Sequence, residues 1–139
     1  MINKIFVHCS ATKPTMDIGV EQIRKWHTDP KPKGRGWSDI GYHYVIRRNG
    51  IIEDGRPATT TGAHAYGYNV GSIGICMVGG LDFRGKPDAN FTFAQYSSLV
   101  ILIEQLKAKY GMDIEIFGHR DVASKECPCF DIHNLLKYT

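Results

Sequence analysis

No run in this chain approaches the roughly 18 consecutive apolar residues that a membrane span needs, and no dense Lys/Arg stripe with interleaved aromatics is present to follow a nucleic-acid backbone. Neither membrane insertion nor nucleic-acid binding is therefore expected. The charge is too mild to drive either, at +3 from 17 basic and 14 acidic residues. The first apolar run, within "MINKIFVHCSATKP", ends in histidine and cysteine, unlike the apolar region of a secretory signal. By these signals the protein is expected to be made and kept in the cytoplasm. Internal repeats and linkers are absent as well, and 139 residues suit a single domain over 1–139, which buries roughly 68% of its unfolded surface. A hydrophobic content of 42% excludes disorder.

Cysteine is sparse, with Cys9, Cys76, Cys127 and Cys129 the whole complement. The chain is longer than a disulfide-stapled scaffold and shows no secretion signal, so these read as reduced thiols or ligands. The HExxH metal helix is missing too. "CPC" is shorter than the usual two-residue gap between zinc-binding cysteines.

What is present is an alternation of strand-like and helix-like segments. "KIFVHCS" (4–10) reads as a buried strand with His8 near its C-terminal end. Asp17 precedes "IGVEQIRKWH", where Val20, Ile23 and either Trp26 or His27 recur at helical spacing, giving a helix over about 18–28 with Asp17 at its start. The Pro/Gly-rich, basic stretch 29–39 is a loop. Residues 42–55 form two strand-like runs about Asn49-Gly50, a dipeptide that predicts a hairpin closed by a type I′ turn. Residues 56–72 read as a structured loop and 73–79 as a central strand. Thr92 and Gln95 have capping-box spacing ahead of a helix whose apolar stripe is Phe93, Tyr96, Leu99, Val100, Ile103 and Leu106, ending at Gly111. A strand over 114–119 ending in His119 and a closing helix over 131–138 complete the chain. The order β-α-β-β-loop-β-α-β-α gives an α/β domain with a central mixed sheet of about five strands, flanked by helices, whose hairpin supplies the antiparallel part.

"GHRDVASKECPC" (118–129) concentrates histidine, thiols, lysine and acids. It reads three ways: a metal half-site, a cysteine nucleophile with its base, or a polar loop. If the strands ending at His8 and His119 are parallel neighbours, both imidazoles share one rim of the sheet, and Cys127 can return to them. Two imidazoles, one thiolate and an open fourth position would make a zinc site of the catalytic type. A thiolate of Cys127 or Cys9 beside His119 would equally serve a cysteine hydrolase. His64, on a Gly-rich loop, is a candidate for the wall of a substrate groove. His27, His43 and His133 read as structural or surface residues.

Five blocks carry a resemblance: "IFVHCSATKP", "GYHYVIRRNG", "GAHAYGYNVGSIGICMVGG", "DANFT" with a helix ending "LKAKYG", and "HRDVASKECPCFD". In this order, over about residues 4–133, the chain resembles the phage lysozymes of the zinc-dependent N-acetylmuramoyl-L-alanine amidase family. It is similar, more distantly, to peptidoglycan recognition proteins. The resemblance implies one Zn2+ per chain held by His8, His119 and Cys127, with Tyr42 and Lys125 assisting catalysis. It implies hydrolysis of the amide between N-acetylmuramic acid and L-alanine in peptidoglycan by a phage or prophage endolysin, expected as a monomer that reaches the wall through a separately made membrane lesion. A metal-free peptidoglycan-binding module is the alternative that the presence of Cys127 disfavours. Cys129 stands where the pattern has a small residue, and puts a second thiol near the metal as a competing ligand or an oxidation partner for Cys127. The chain starts only a few residues before its first strand, so the inhibitory contact of the phage lysozyme with phage RNA polymerase, which a longer N-terminal arm would make, is not expected to carry over in full.

Overall fold

The computed structural model describes residues 1–137. Its elements run β1 (Lys4–Cys9), α1 (Val20–Thr28), β2 (Tyr44–Ile46), β3 (Ile52–Asp54), β4 (Ser72–Met77), α2 (Phe93–Tyr110), β5 (Glu115–Gly118), a single 3₁₀ turn (His119–Asp121) and α3 (Ile132–Lys137). Tyr138, which the sequence assigns to the closing helix, lies outside the described residues. One five-stranded sheet has the order β3-β2-β4-β1-β5. Strands β2, β4, β1 and β5 are parallel, and β3 joins as the antiparallel arm of the hairpin.

The period-two alternation of the central strands sorts their side chains between two layers. Ile5, Val7 and Cys9 of β1 and Ile73, Ile75 and Met77 of β4 pack on one face against Leu99, Leu102, Ile103 and Leu106 of α2 and Ile132 of α3. Cys76 and Val45 point the other way, into a smaller cluster with Ile23 of α1, Ile40 and Val78. His8 belongs to this second face, being interleaved between Val7 and Cys9. Each fully buried aliphatic side chain contributes about 1.5–3 kcal/mol of transfer free energy, so the α2 face fixes the strand register. That register in turn fixes which residues line the opposite face.

Three local expectations are corrected. The hairpin forms about Asn49-Gly50, but its turn is not type I′. Gly50 has φ +88° whereas Asn49 does not enter the left-handed region, and Gly50 N–H donates to Arg47 O at 2.8 Å while Arg47 N–H donates to Ile51 O at 2.9 Å. This is a three-residue connection with a left-handed glycine at its end. Asp17 does not cap α1: its carboxylate lies 3.6 Å from Arg47 Nη2, and Val20 N–H donates instead to Glu53 Oε1 at 2.9 Å. The first turn of α1 is thus satisfied from β3, a partner distant in sequence. On α2 the Thr92/Gln95 capping box forms as its spacing predicts, but Phe93 at the head of the stripe is 86% exposed.

The residue hidden in that stripe is Gln95, which is fully buried. Its amide donates to Ile46 O at 3.1 Å and Val78 O at 2.8 Å, while Oε1 accepts from Thr92 N–H at 3.0 Å and Arg48 Nη1 at 3.2 Å. One polar side chain pins α2 to the C-terminal ends of β2 and β4. Gln95→Leu removes all four bonds, leaving Ile46 O with Val78 N–H at 3.0 Å and Val78 O with Arg48 Nη1 at 3.5 Å, so a loss of about 3 kcal/mol is expected, read as a lower urea midpoint. A loss below about 0.5 kcal/mol, the size of an ordinary surface change, would contradict that pin.

Candidate metal centre and cleft

Because β1 and β5 are parallel neighbours, with Val7 beside Gly118, the residues that follow these positions emerge at the same rim. His8 and His119 are both buried there, and His8 Nδ1 lies 3.2 Å from His119 Nδ1. The loop after the 3₁₀ turn brings Cys127 back: Arg120 N–H donates to Cys127 O at 2.7 Å, and Cys9 N–H donates to Cys127 Sγ at 3.2 Å. The ligand atoms of His8, His119 and Cys127 all lie within 4.8 Å of one another. A tetrahedral ion with Zn–N bonds of 2.0–2.1 Å separates its two nitrogens by about 3.3 Å, close to the spacing these imidazoles already have. The donor set, two imidazoles and one thiol with a cleft in front, fits zinc with one position open.

Cys129 is not a member of this cluster among the described residues. Its Sγ lies 3.7 Å from Cys9 Sγ, next to the α2-side core. The second thiol of "CPC" therefore has Cys9 as its neighbour, and Cys129 takes a left-handed backbone at φ +71°. Asp121 also has a place: its Oδ2 accepts from Gly118 N–H at 2.9 Å and pairs with His133 Nε2 at 2.8 Å, holding the 3₁₀ turn that carries His119.

A cleft of about 740 Å³ opens over the cluster, and Tyr42, Lys125 and His64 line it together with the three candidate ligands. The ring of Tyr42 is centred 5.2 Å from that of His8. Burial, and then the neighbouring thiols of Cys76, Cys127 and Cys9, push its phenol well above the ordinary tyrosine range, so it stays protonated as a donor. Lys125 is exposed and lines the cleft. Burial lowers the pKa of His119, and the Lys125 ammonium lowers it further. Burial lowers that of His8 as well, with His64, His119 and Lys125 adding to the effect. Neutral imidazoles are the form a metal requires.

The cleft also has a wall that the sequence did not reveal, formed by His27, Arg35, Trp37 and Tyr66. His27, read as structural or surface, accepts Gly41 N–H on Nδ1 at 2.9 Å, and Arg35 sits 5.0 Å above the Trp37 ring. No periodicity links these residues. Arg35 and Trp37 lie in the Gly-rich loop 34–41, His27 in α1, and Tyr66 in the loop between β3 and β4. His43 is structural: Gly74 N–H donates to its Nδ1 at 3.0 Å and its Nε2 meets Thr60 O at 2.9 Å.

Half-buried His27 and buried His43 set an acid limit. Burial, with Arg35 and Arg56 nearby, lowers His27 to about 4, and burial lowers His43 as well. The unfolded chain protonates these rings near 6.5, before the folded chain does, so their contribution is complete above that pH and is lost as pH falls toward the folded values. The carboxyls of Asp39 and Asp121 resist burial through hydrogen bonds and titrate below their ordinary value. Urea midpoints of chelator-treated protein are thus expected to hold from pH 8 to 7 and fall between about 6.5 and 4, by up to about 1.4 kcal/mol per pH unit for each ring kept neutral. A flat midpoint across that interval would contradict the neutral burial.

The fold is shared by N-acetylmuramoyl-L-alanine amidases and peptidoglycan recognition proteins. The chain superposes on the N-acetylmuramoyl-L-alanine amidase LysC from Clostridium intestinale with a TM-score of 0.80 and 31% identity, covering 99% of this chain and 84% of that one. On the peptidoglycan recognition protein PGRP-SA of Apis mellifera the TM-score is 0.77 at 26% identity, over 98% and 81% of the two chains. The profile of the N-acetylmuramoyl-L-alanine amidase family matches residues 1–130, and the chain belongs to that family. The endolysin of Klebsiella phage KP32 is 51% identical over 130 residues, which are 94% of this chain and 82% of the phage protein.

Proposed function

We propose that the chain is a zinc-dependent endolysin that hydrolyses the amide between the lactyl group of N-acetylmuramic acid and the L-alanine of the peptidoglycan stem. The observation that carries the reading is the meeting of His8, His119 and Cys127 at the floor of the cleft, with His8 Nδ1 and His119 Nδ1 3.2 Å apart. A zinc ion held by these three residues would polarise the scissile carbonyl and lower the pKa of a water molecule from 15.7 toward about 7. The other residues of the cleft have separable tasks.

Attack on the amide carbon places negative charge on the carbonyl oxygen. Lys125 supplies a cation on the cleft wall to meet that charge. The departing nitrogen must leave as an amine and needs a proton. Tyr42, kept protonated by burial and the surrounding thiols, is the donor near His8 able to supply or relay it. Arg35 and Trp37, which also line the cleft, offer a cation and an aromatic face to the stem peptide and its carboxylates.

A cysteine hydrolase would need an imidazole directed at the Cys127 thiol. Instead, Cys127 Sγ accepts from the Cys9 backbone, and His119 Nδ1 faces His8. Digestion of purified cell walls followed by mass spectrometry tests the bond assignment. Free stem peptides with an L-alanine amino terminus, and no new sugar reducing ends, are expected. New reducing ends, or cleavage within the stem, would overturn it.

A further inference from the structure

His64, the candidate for the wall of a substrate groove, lines the cleft, and both of its ring nitrogens are engaged within the protein. His64 Nδ1 lies 2.9 Å from His8 Nε2, and His64 Nε2 lies 3.1 Å from Ser72 Oγ. The hydroxyl of Ser72 donates to Asn69 O at 2.9 Å. His64 and Ser72 are both buried, at 8% and 1% exposure, so no bulk water competes for these bonds.

The direction of the chain of bonds follows from its end. A backbone carbonyl can only accept, so the Ser72 proton points at Asn69 O and Ser72 Oγ must accept from His64. His64 then carries its proton on Nε2 and offers a lone pair on Nδ1. That lone pair takes the Nε2 proton of His8, which leaves His8 with a lone pair on Nδ1, the atom facing His119. One carbonyl thereby sets the tautomer of a candidate ligand through two intervening side chains.

The backbone is shaped to hold this arrangement. Asn69 Oδ1 accepts from the N–H groups of His64 and Ala65 at 2.8 and 2.9 Å, tying the loop that carries His64 to the carbonyl that ends the relay. On β4, a Cβ at Gly74 would stand 2.5 Å from His64 Cγ. The absent side chain at Gly74 is the space the imidazole fills.

We propose that His64 is a positioning residue for zinc, which acts with Ser72 and the Asn69 carbonyl to fix His8 as the Nε2–H tautomer with Nδ1 free to bind the ion. This rests on the reading of His8 as a metal ligand. Partners that orient a ligating imidazole typically account for 10–100-fold in metal affinity.

The test has two arms. In metal-free wild-type protein, nitrogen-15 correlation spectra of the imidazoles should show His8 and His64 both protonated at Nε2 and bare at Nδ1. A proton on Nδ1 of either ring would overturn the relay, without any variant having to fold. In the second arm, zinc affinity is measured by competition with a chromophoric chelator. His64→Phe keeps a ring but no acceptor and should bind zinc about 10–100-fold more weakly. His64→Asn, whose amide oxygen can stand where Nδ1 stood, should recover most of the loss. Ser72→Ala should weaken binding in the same direction by a smaller factor. Wild-type affinity in His64→Phe would overturn the role of His64, whereas failure of the wild-type protein itself to bind zinc would overturn the metal reading on which it rests.

Discussion

Cys127→Ser is expected to leave the protein folded, without zinc and without amidase activity. The thiol is the only one of the three candidate donors that brings negative charge, and a serine hydroxyl does not ionise at neutral pH to replace it. Loss of an orienting partner of a ligand already costs 10–100-fold in affinity, so loss of this ligand should cost at least about 100-fold. The fold should survive because Cys127 is only half-buried and serves the core from its edge. Metal analysis after dialysis against buffered zinc checks the first part, and circular dichroism the second. A variant that keeps one zinc per chain would show that Cys127 is not a ligand.

Lys125→Ala separates binding of the ion from turnover. Lys125 is exposed on the cleft wall and is not among the clustered donors, so its removal should leave the zinc content unchanged. Turnover should fall by about 10²–10³-fold, the usual cost of losing one group aimed at a developing oxyanion. The loss should appear in kcat more than in KM, since the charge it meets develops only in the transition state. Full activity in Lys125→Ala would remove it from the mechanism, and a parallel loss of zinc would mean that it supports the site and not the reaction.

How much of this was legible in the sequence differs by the range of the interactions involved. The pairing of His8 with His119 could be read because each residue terminates an apolar run, and parallel neighbouring strands carry their ends to one rim. The hairpin about Asn49-Gly50 was legible for a similar reason, since turn residues act locally. Its turn type was not: the three-residue connection between Arg47 and Ile51 depends on the register of β2 and β3. The start of α1 was misread because its capping acceptor, Glu53, comes from another strand. Gln95 was read as half of a capping box, which it is, but its burial against Ile46 and Val78 depends on where α2 crosses the sheet.

His64 shows the same division most sharply. Its Gly-rich loop placed it at the cleft, and it does line the cleft. That its nitrogens are spent on His8 and Ser72 follows only once β1 lies beside β4, with His8 opposite Cys76 and Gly74 leaving room for the ring. The family resemblance named the ligands and the assisting residues. The residues that hold those ligands in place come from the packing.

The most direct measurement of the central claim is digestion of purified peptidoglycan by the wild-type protein before chelation, after chelation, and after zinc is returned. Release of stem peptides that stops with the chelator and resumes with zinc, at one ion per chain, is the predicted result. Release that continues unchanged in metal-stripped protein would contradict a catalytic zinc at His8, His119 and Cys127.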